Sequence, residues 1–127
     1  MRAIAVNTDY SLSAEELETP VPGPNEILIK VQCAGVNRAD LMQRRGFYPP
    51  PPGASKVLGL ECSGIVESVG RNCERYRGGE SVCALLSGGG YAEYVAVDEG
   101  SVLPMPSGFS FEQAASIPEV FATAWLN

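Results

Sequence analysis

Gly59-Leu60-Glu61-Cys62-Ser63-Gly64-Ile65-Val66-Glu67-Ser68-Val69-Gly70 is the stretch on which the reading of the fold turns. Glycines open it, divide it and close it, and β-branched residues fill its second half. Such spacing suits a chain entering a strand through tight turns, with Ile65, Val66 and Val69 as packing residues and Gly64 and Gly70 as bends. Leu60, directly after the first glycine, has no lone pair to offer a metal.

Outward from this stretch the chain reads as many short strands. Met1 to Val6 and Ser11 to Glu18 are paired candidates around a turn at Thr8-Asp9-Tyr10. Pro20-Val21-Pro22-Gly23-Pro24-Asn25 is a strong breaker. Glu26 to Cys33 alternates, with Ile27, Ile29 and Val31 on one face and Leu28, Lys30 and Gln32 on the other, the pattern of a half-buried strand. Asn37 can cap a short helix running to Arg45, with Gly46 placed as its C-terminal glycine. Pro49 to Pro52 is a stiff polyproline run without amide donors. Val57 to Leu60 reads as extended, and Ser81 to Leu86 as a strand. A hairpin at Ser87-Gly88-Gly89-Gly90 then leads into Tyr91 to Val97, and Val102 to Met105 is a further short strand. Ser110 and Gln113 form a capping box for a helix through Ala115. Pro118 and Glu119 suit the first turn of a last helix, which carries Val120, Phe121, Ala124, Trp125 and Leu126. Short strands separated by Gly and Pro turns indicate a mostly β domain of barrel or sandwich type.

At 127 residues this is one domain by length, and 45% apolar residues is ordinary for a globular chain. No stretch approaches the ~18 apolar residues of a membrane span, and the polar turn at Asn7 leaves no secretory apolar segment at the start. A net charge of −6 argues against nonspecific nucleic-acid binding, and Arg38, Arg44 and Arg45 read as a solvated helix face. There is no histidine, which removes His-based triads and imidazole-ligated zinc. Cys33, Cys62, Cys73 and Cys83 lack C-x-x-C spacing and read as reduced thiols of a cytoplasmic protein.

Five segments together resemble the zinc-free quinone oxidoreductases of the medium-chain dehydrogenase/reductase superfamily, in particular the stress-inducible, ζ-crystallin-like subgroup. They are Ala34 to Gly46, Tyr48 to Ser55, Leu58 to Gly64, Ala84 to Val95 and Ala114 to Glu119. In the zinc enzymes of that superfamily a histidine occupies the place of Leu60, and a cysteine ligand the place of Asn37. The resemblance implies a GroES-like (chaperonin-10-like), partly open β-barrel over residues 1–117, the catalytic domain. Residues 118–127 would then begin the helix leading to a nucleotide-binding Rossmann domain absent from this chain. No strand–GxGxxG–helix unit occurs in these residues, so on this reading the chain is the first half of a longer protein.

The same resemblance implies NADPH as cofactor, a small-molecule quinone as acceptor, no metal, and a homodimer in the full-length protein. It places Asn37 against the nicotinamide ribose and Tyr48 beside nicotinamide and quinone as a proton donor. It places Thr123 near the nicotinamide carboxamide. Read from residue chemistry alone, Asn37 is equally a helix cap, Tyr48 a residue packed on proline rings, and Thr123 an ordinary helix residue. Asp40 is expected to make a structural hydrogen bond or an arginine ion pair. Glu61, which holds the place of the carboxylate behind the metal in zinc enzymes, is expected to accept from backbone or arginine. Two other readings remain open: reduction of an activated carbon–carbon double bond, as in alkenal or enoyl reductases, and a non-catalytic short form that binds partners through its apolar last helix.

Overall fold

The computed structural model describes all 127 residues. Strands β1 (Arg2–Val6) and β2 (Leu12–Glu16) form an antiparallel pair around the expected turn. There Asp9 Oδ1 accepts from the Ser11 amide, and Tyr10 adopts a positive φ of 65°. A second, five-stranded sheet has the order β6-β3-β4-β5-β7, from β3 (Glu26–Ala34), β4 (Glu61–Val69), β5 (Ser81–Leu85), β6 (Tyr94–Asp98) and β7 (Val102–Pro104). Every pairing is antiparallel. The small sheet docks on the large one just before β6: Ala3 bridges Ala92, and the Ile4 amide donates to the Tyr91 carbonyl at 2.8 Å.

The core lies on the face of β3 and β6 that the alternation marks, although Leu28, on the opposite face of β3, is buried as well. Ile27, Ile29, Val66, Val82, Ala84, Val95, Val97 and Val102 are buried in one cluster, completed by Tyr76, whose hydroxyl donates to the Val102 carbonyl at 2.8 Å. Helix α2 (Phe111–Ala115) opens with the Ser110–Gln113 capping box and buries Ala114 and Ala115. Ser63 anchors it by donating its hydroxyl to the Phe111 carbonyl at 2.6 Å. Strand edges β6 and β7 do not pair with one another, so the barrel stays partly open.

Three expectations change. Gly64 is not a bend: it sits inside β4 opposite Val31, where a Cβ would lie 2.8 Å from Ile29 Cγ2 and collide with the Lys30 carbonyl oxygen. The glycine is there for close backbone approach. Ser87 to Gly90 is not a hairpin, because β5 pairs with β4 and β7, and β6 pairs with β3. The glycines instead fold beneath the segment after the prolines, with the Gly89 amide donating to the Val57 carbonyl at 2.8 Å and Gly90 to Gly59 at 3.1 Å. Val57 to Leu60 is consequently held by this turn and forms no strand.

Candidate functional site

Strand β3 ends at Ala34 and β4 begins at Glu61, so the residues after one strand meet the first residue of the other. The Gly35 amide donates to the Glu61 carbonyl at 3.2 Å. A Cβ on Gly35 would overlap the Glu61 side chain, coming within 2.6 Å of its Cγ. The missing side chain at Gly35 is therefore the space that the Glu61 carboxylate fills, with 2% of Glu61 exposed. Asn37 stands at the N-cap of helix α1 (Arg38–Arg44) with extended backbone (φ −121°, ψ 158°), and Gly46 follows the helix at φ 80°, both as the sequence suggests.

Two buried carboxylates meet through Asn37. Glu61 Oε1 accepts from Asn37 Nδ2 at 2.9 Å, and Glu61 Oε2 accepts from the Glu119 amide at 2.9 Å, in the first turn of helix α3 (Pro118–Leu126). Asp40 Oδ2 accepts from the Asn37 amide at 2.9 Å and from the Tyr91 hydroxyl at 2.8 Å, while Oδ1 accepts from the Gly59 amide at 3.2 Å. All four carboxylate oxygens thus have N–H or O–H donors, and neither acid faces a cation. Backbone dipoles, including the positive end of α3, offset burial of the anions. Backbone donation to Glu61 agrees with the expectation for that residue. The arginine alternative for Asp40 does not materialise; its partner is Tyr91, far off in sequence.

The environment presses on neighbouring groups. Burial, reinforced by the hydrogen bond to Asp40 and the nearby charges of Asp40 and Glu61, pushes the Tyr91 hydroxyl well above the usual tyrosine range, so it stays protonated and donating. Burial, with Cys83 and Glu61 nearby, pushes the Cys62 thiol up to about 12. Cys62 and Cys83 therefore act as packing groups rather than nucleophiles. No three His, Cys, Asp or Glu side chains converge as a metal-binding group.

The other two candidates lie further out. Tyr48 is 48% exposed in the loop after α1, and its hydroxyl makes no internal hydrogen bond. Thr123 is exposed on α3 and donates weakly to Glu119 Oε1 at 3.3 Å, one helical turn back. Asn37 and Glu119 thus meet at Glu61, with Thr123 one turn along α3, while no hydrogen bond ties Tyr48 to them. Sequence reasoning missed Tyr91 and the Glu119 amide as members of the network; a contact across fifty residues of β topology leaves no local signal. A cavity of about 550 Å³ lies elsewhere, lined by the proline loop, the glycine turn and β6, and contains none of these residues.

The model of the alcohol dehydrogenase GroES-like domain matches residues 23–107, from the proline breaker through β7. The chain belongs to this family. Among curated relatives of this GroES-like domain, the zebrafish synaptic vesicle membrane protein VAT-1 homolog is 36% identical over 107 residues, 84% of this chain and 22% of that protein. A quinone oxidoreductase of Lama guanicoe is 32% identical over 130 residues, 98% of this chain and 39% of that one. The GroES-like domain therefore spans well under half the length of these relatives. Among solved structures, the human VAT-1 homolog-like protein superposes with a TM-score of 0.90 at 35% identity, over 99% of this chain and 42% of that one. The Escherichia coli quinone oxidoreductase complexed with NADPH gives 0.80 at 29%, over 98% and 39%. CurK enoyl reductase gives 0.85 at 25%, over 97% and 40%. The mostly β, GroES-like architecture expected from the sequence is the one observed, and it is that of the medium-chain dehydrogenase/reductase superfamily.

Proposed function

We propose that this domain is the catalytic half of a zinc-free, NADPH-dependent quinone oxidoreductase. The observation that carries the reading is the Asn37–Glu61 pair beside Leu60. Where metal ligands would be needed, an aliphatic side chain and a carboxamide stand, and the carboxylate behind them is saturated by amide donors. The residues present suit the nicotinamide end of such a cofactor: a carboxamide held by a buried acid and a phenol free of internal partners. They offer nothing for its phosphates, since the sheets contain no parallel βαβ unit and Glu61 already occupies the N-terminus of α3.

When bound, NADPH supplies a hydride from C4 of its nicotinamide. Asn37, fixed by Glu61, would hold the ribose; Thr123, whose bond to Glu119 is weak, would be available to the carboxamide; Tyr48 would supply a proton to the reduced acceptor oxygen. Quinones accept electrons readily, so orientation, which offsets roughly 7–11 kcal/mol of a barrier, suffices without Lewis-acid assistance. The same proposal puts the working protein in the cytosol, where four unpaired thiols remain reduced, and in a homodimer.

The test uses a protein that joins this domain to its nucleotide-binding partner. It should oxidise NADPH with 1,2- or 1,4-quinones and be indifferent to chelators. Asn37→Ala should weaken NADPH binding about tenfold, and Tyr48→Phe should lower kcat about 10²-fold. Inactivation by a chelator would overturn the metal-free assignment. The likeness to an enoyl reductase favours one alternative, reduction of an activated double bond; turnover of 2-alkenals in preference to quinones would decide for it. The 127-residue chain alone should neither bind NADPH tightly nor turn over quinone.

A further inference from the structure

Helix α1 and the loop after it carry a feature that the proposed chemistry does not use. Arg38, Leu41, Met42, Arg44, Arg45 and Phe47 enclose a dent of about 270 Å³. The charge around it is out of keeping with the chain. Acids outnumber cations fifteen to nine, yet three of the nine cations stand here. None of the three is in a salt bridge; the ion pairs of the chain are Met1–Glu16 and Arg2–Glu93. Arg44 is partly committed, donating from Nε to the Tyr10 carbonyl and lying near Asp9. Arg38 and Arg45 are exposed and without an acidic partner. The one acid on α1, Asp40, is buried and bonded to Asn37, Tyr91 and Gly59.

The walls between these cations are apolar and open. Phe47 is 74% exposed and Leu41 52%. Guanidinium groups grip a carboxylate through two parallel N–H donors and stack on aromatic faces. We propose that Arg38, Arg45 and Phe47 form a binding site for a small planar aromatic carboxylate, its ring against Phe47 and Leu41 and its acid between the two guanidinium groups. The dent is just below the ~300 Å³ of a drug-sized pocket, which fits one or two fused rings rather than a long acyl chain. The site stands independently of the quinone reading, since it requires neither cofactor nor turnover.

The probe is 2-naphthoate, titrated into the 127-residue chain by calorimetry, with 2-naphthalenemethanol as neutral isostere. Naphthoate should bind saturably, and the alcohol about tenfold or more weakly. Raising salt to about 0.5 M should weaken naphthoate on the unaltered chain, because exposed charges are screened. Arg38→Gln with Arg45→Gln should raise Kd about tenfold, whereas Lys at both positions, keeping charge but losing the fork, should raise it about threefold. Phe47→Ala should weaken binding while leaving its salt dependence intact. Far-UV circular dichroism of the variants should overlay that of the parent, since these side chains are exposed. Equal binding of the alcohol, no saturation by about 10 mM, or an unchanged Kd in the double Gln variant would overturn the inference. So would co-sedimentation with phosphatidylserine vesicles that the double variant loses, which would reassign the surface to a membrane.

Discussion

Gly35→Ala is the perturbation that most directly questions the buried network. Gly35 has an ordinary backbone conformation, so alanine meets no torsional strain there. What it meets is the Glu61 side chain, with Cγ 2.6 Å from the new methyl. Neither backbone can yield, because the Gly35 amide is bonded to the Glu61 carbonyl. The carboxylate has to leave, and it abandons Asn37 Nδ2 and the Glu119 amide. Each hydrogen bond to a charged group contributes about 1.5–3 kcal/mol, so two give a loss of about 3–6 kcal/mol, lowered where water reaches the displaced acid. Against the ~5–15 kcal/mol of a typical domain that is a large fraction.

The cycle with Glu61→Ala separates this mechanism from a general intolerance of bulk at position 35. Glu61→Ala alone should cost about 2–4 kcal/mol, because the same two donors lose their acceptor while a buried charge is also removed. In the double variant the methyl at 35 enters space that Glu61 has vacated, so the loss should stay near that of Glu61→Ala, a coupling as large as the Gly35→Ala loss itself, about 3–6 kcal/mol. Urea denaturation followed by far-UV circular dichroism is the assay, since Trp125 is 89% exposed and its emission reports little on folding. Hydrogen exchange at the Glu119 amide should quicken in both single variants. Additive losses, within about 0.5 kcal/mol, would refute the claim that Gly35 exists to make room for Glu61.

Tyr10→Asn should raise stability by about 0.5–1 kcal/mol by urea titration, because a half-exposed tyrosine is replaced by a residue that tolerates its φ of 65°. Gly64→Ala should cost about 3 kcal/mol or prevent folding, since the methyl would part β3 from β4; soluble yield and thermal unfolding read it. Tyr91→Phe should cost about 1–3 kcal/mol by leaving Asp40 Oδ2 short of a donor. Alkaline pH should destabilise the fold: Cys62 titrates at 9.0 when unfolded and about 12 when folded, so its contribution is full below pH 9.0 and lost as pH rises through about 12. Stability measured across that window should fall, and Cys62→Ala should flatten the slope.

Much of the fold was readable because it rests on local rules. The alternation of Glu26 to Cys33 gives β3 and its buried Ile27 and Ile29; Ser110 with Gln113 gives the start of α2; Pro118 and Gly46 mark one helix beginning and one helix end. Glycine was where local reading failed. In a strand it signals either a bend or a close approach, and only the register of β3 against β4 tells that Gly64 is the second. The hairpin expected at Ser87 to Gly90 failed similarly: turn chemistry fixes that the chain reverses, while sheet order decides what lies alongside. β4 inserts between β3 and β5, and this sends β6 to the far edge.

The candidate site follows the same division, and there it bears on function. Each member has a local reason to be where it is: Asn37 caps α1, Asp40 sits in its first turn, Glu61 opens β4 and Glu119 opens α3. What joins them is the sheet, which brings the end of β3 to the start of β4 and sets α3 against β4 and β5. Glu61 is the one side chain that touches both halves, with one oxygen on the amide of Asn37 and the other on the backbone of α3. A shift of α3 would therefore pull on Glu61 and, through it, on the orientation of Asn37. If Asn37 positions a ribose, the helix that carries Thr123 and the residue that holds the sugar are set by one carboxylate. Glu61→Gln keeps the shape but turns one of its two acceptor atoms into a donor facing an N–H group. That variant should break one of the two bonds, so cofactor affinity should fall together with either the Asn37 side-chain bond or the protection of the Glu119 amide; a fall in affinity with that amide still fully protected, and Asn37 still bonded, would show that the two ends are not linked.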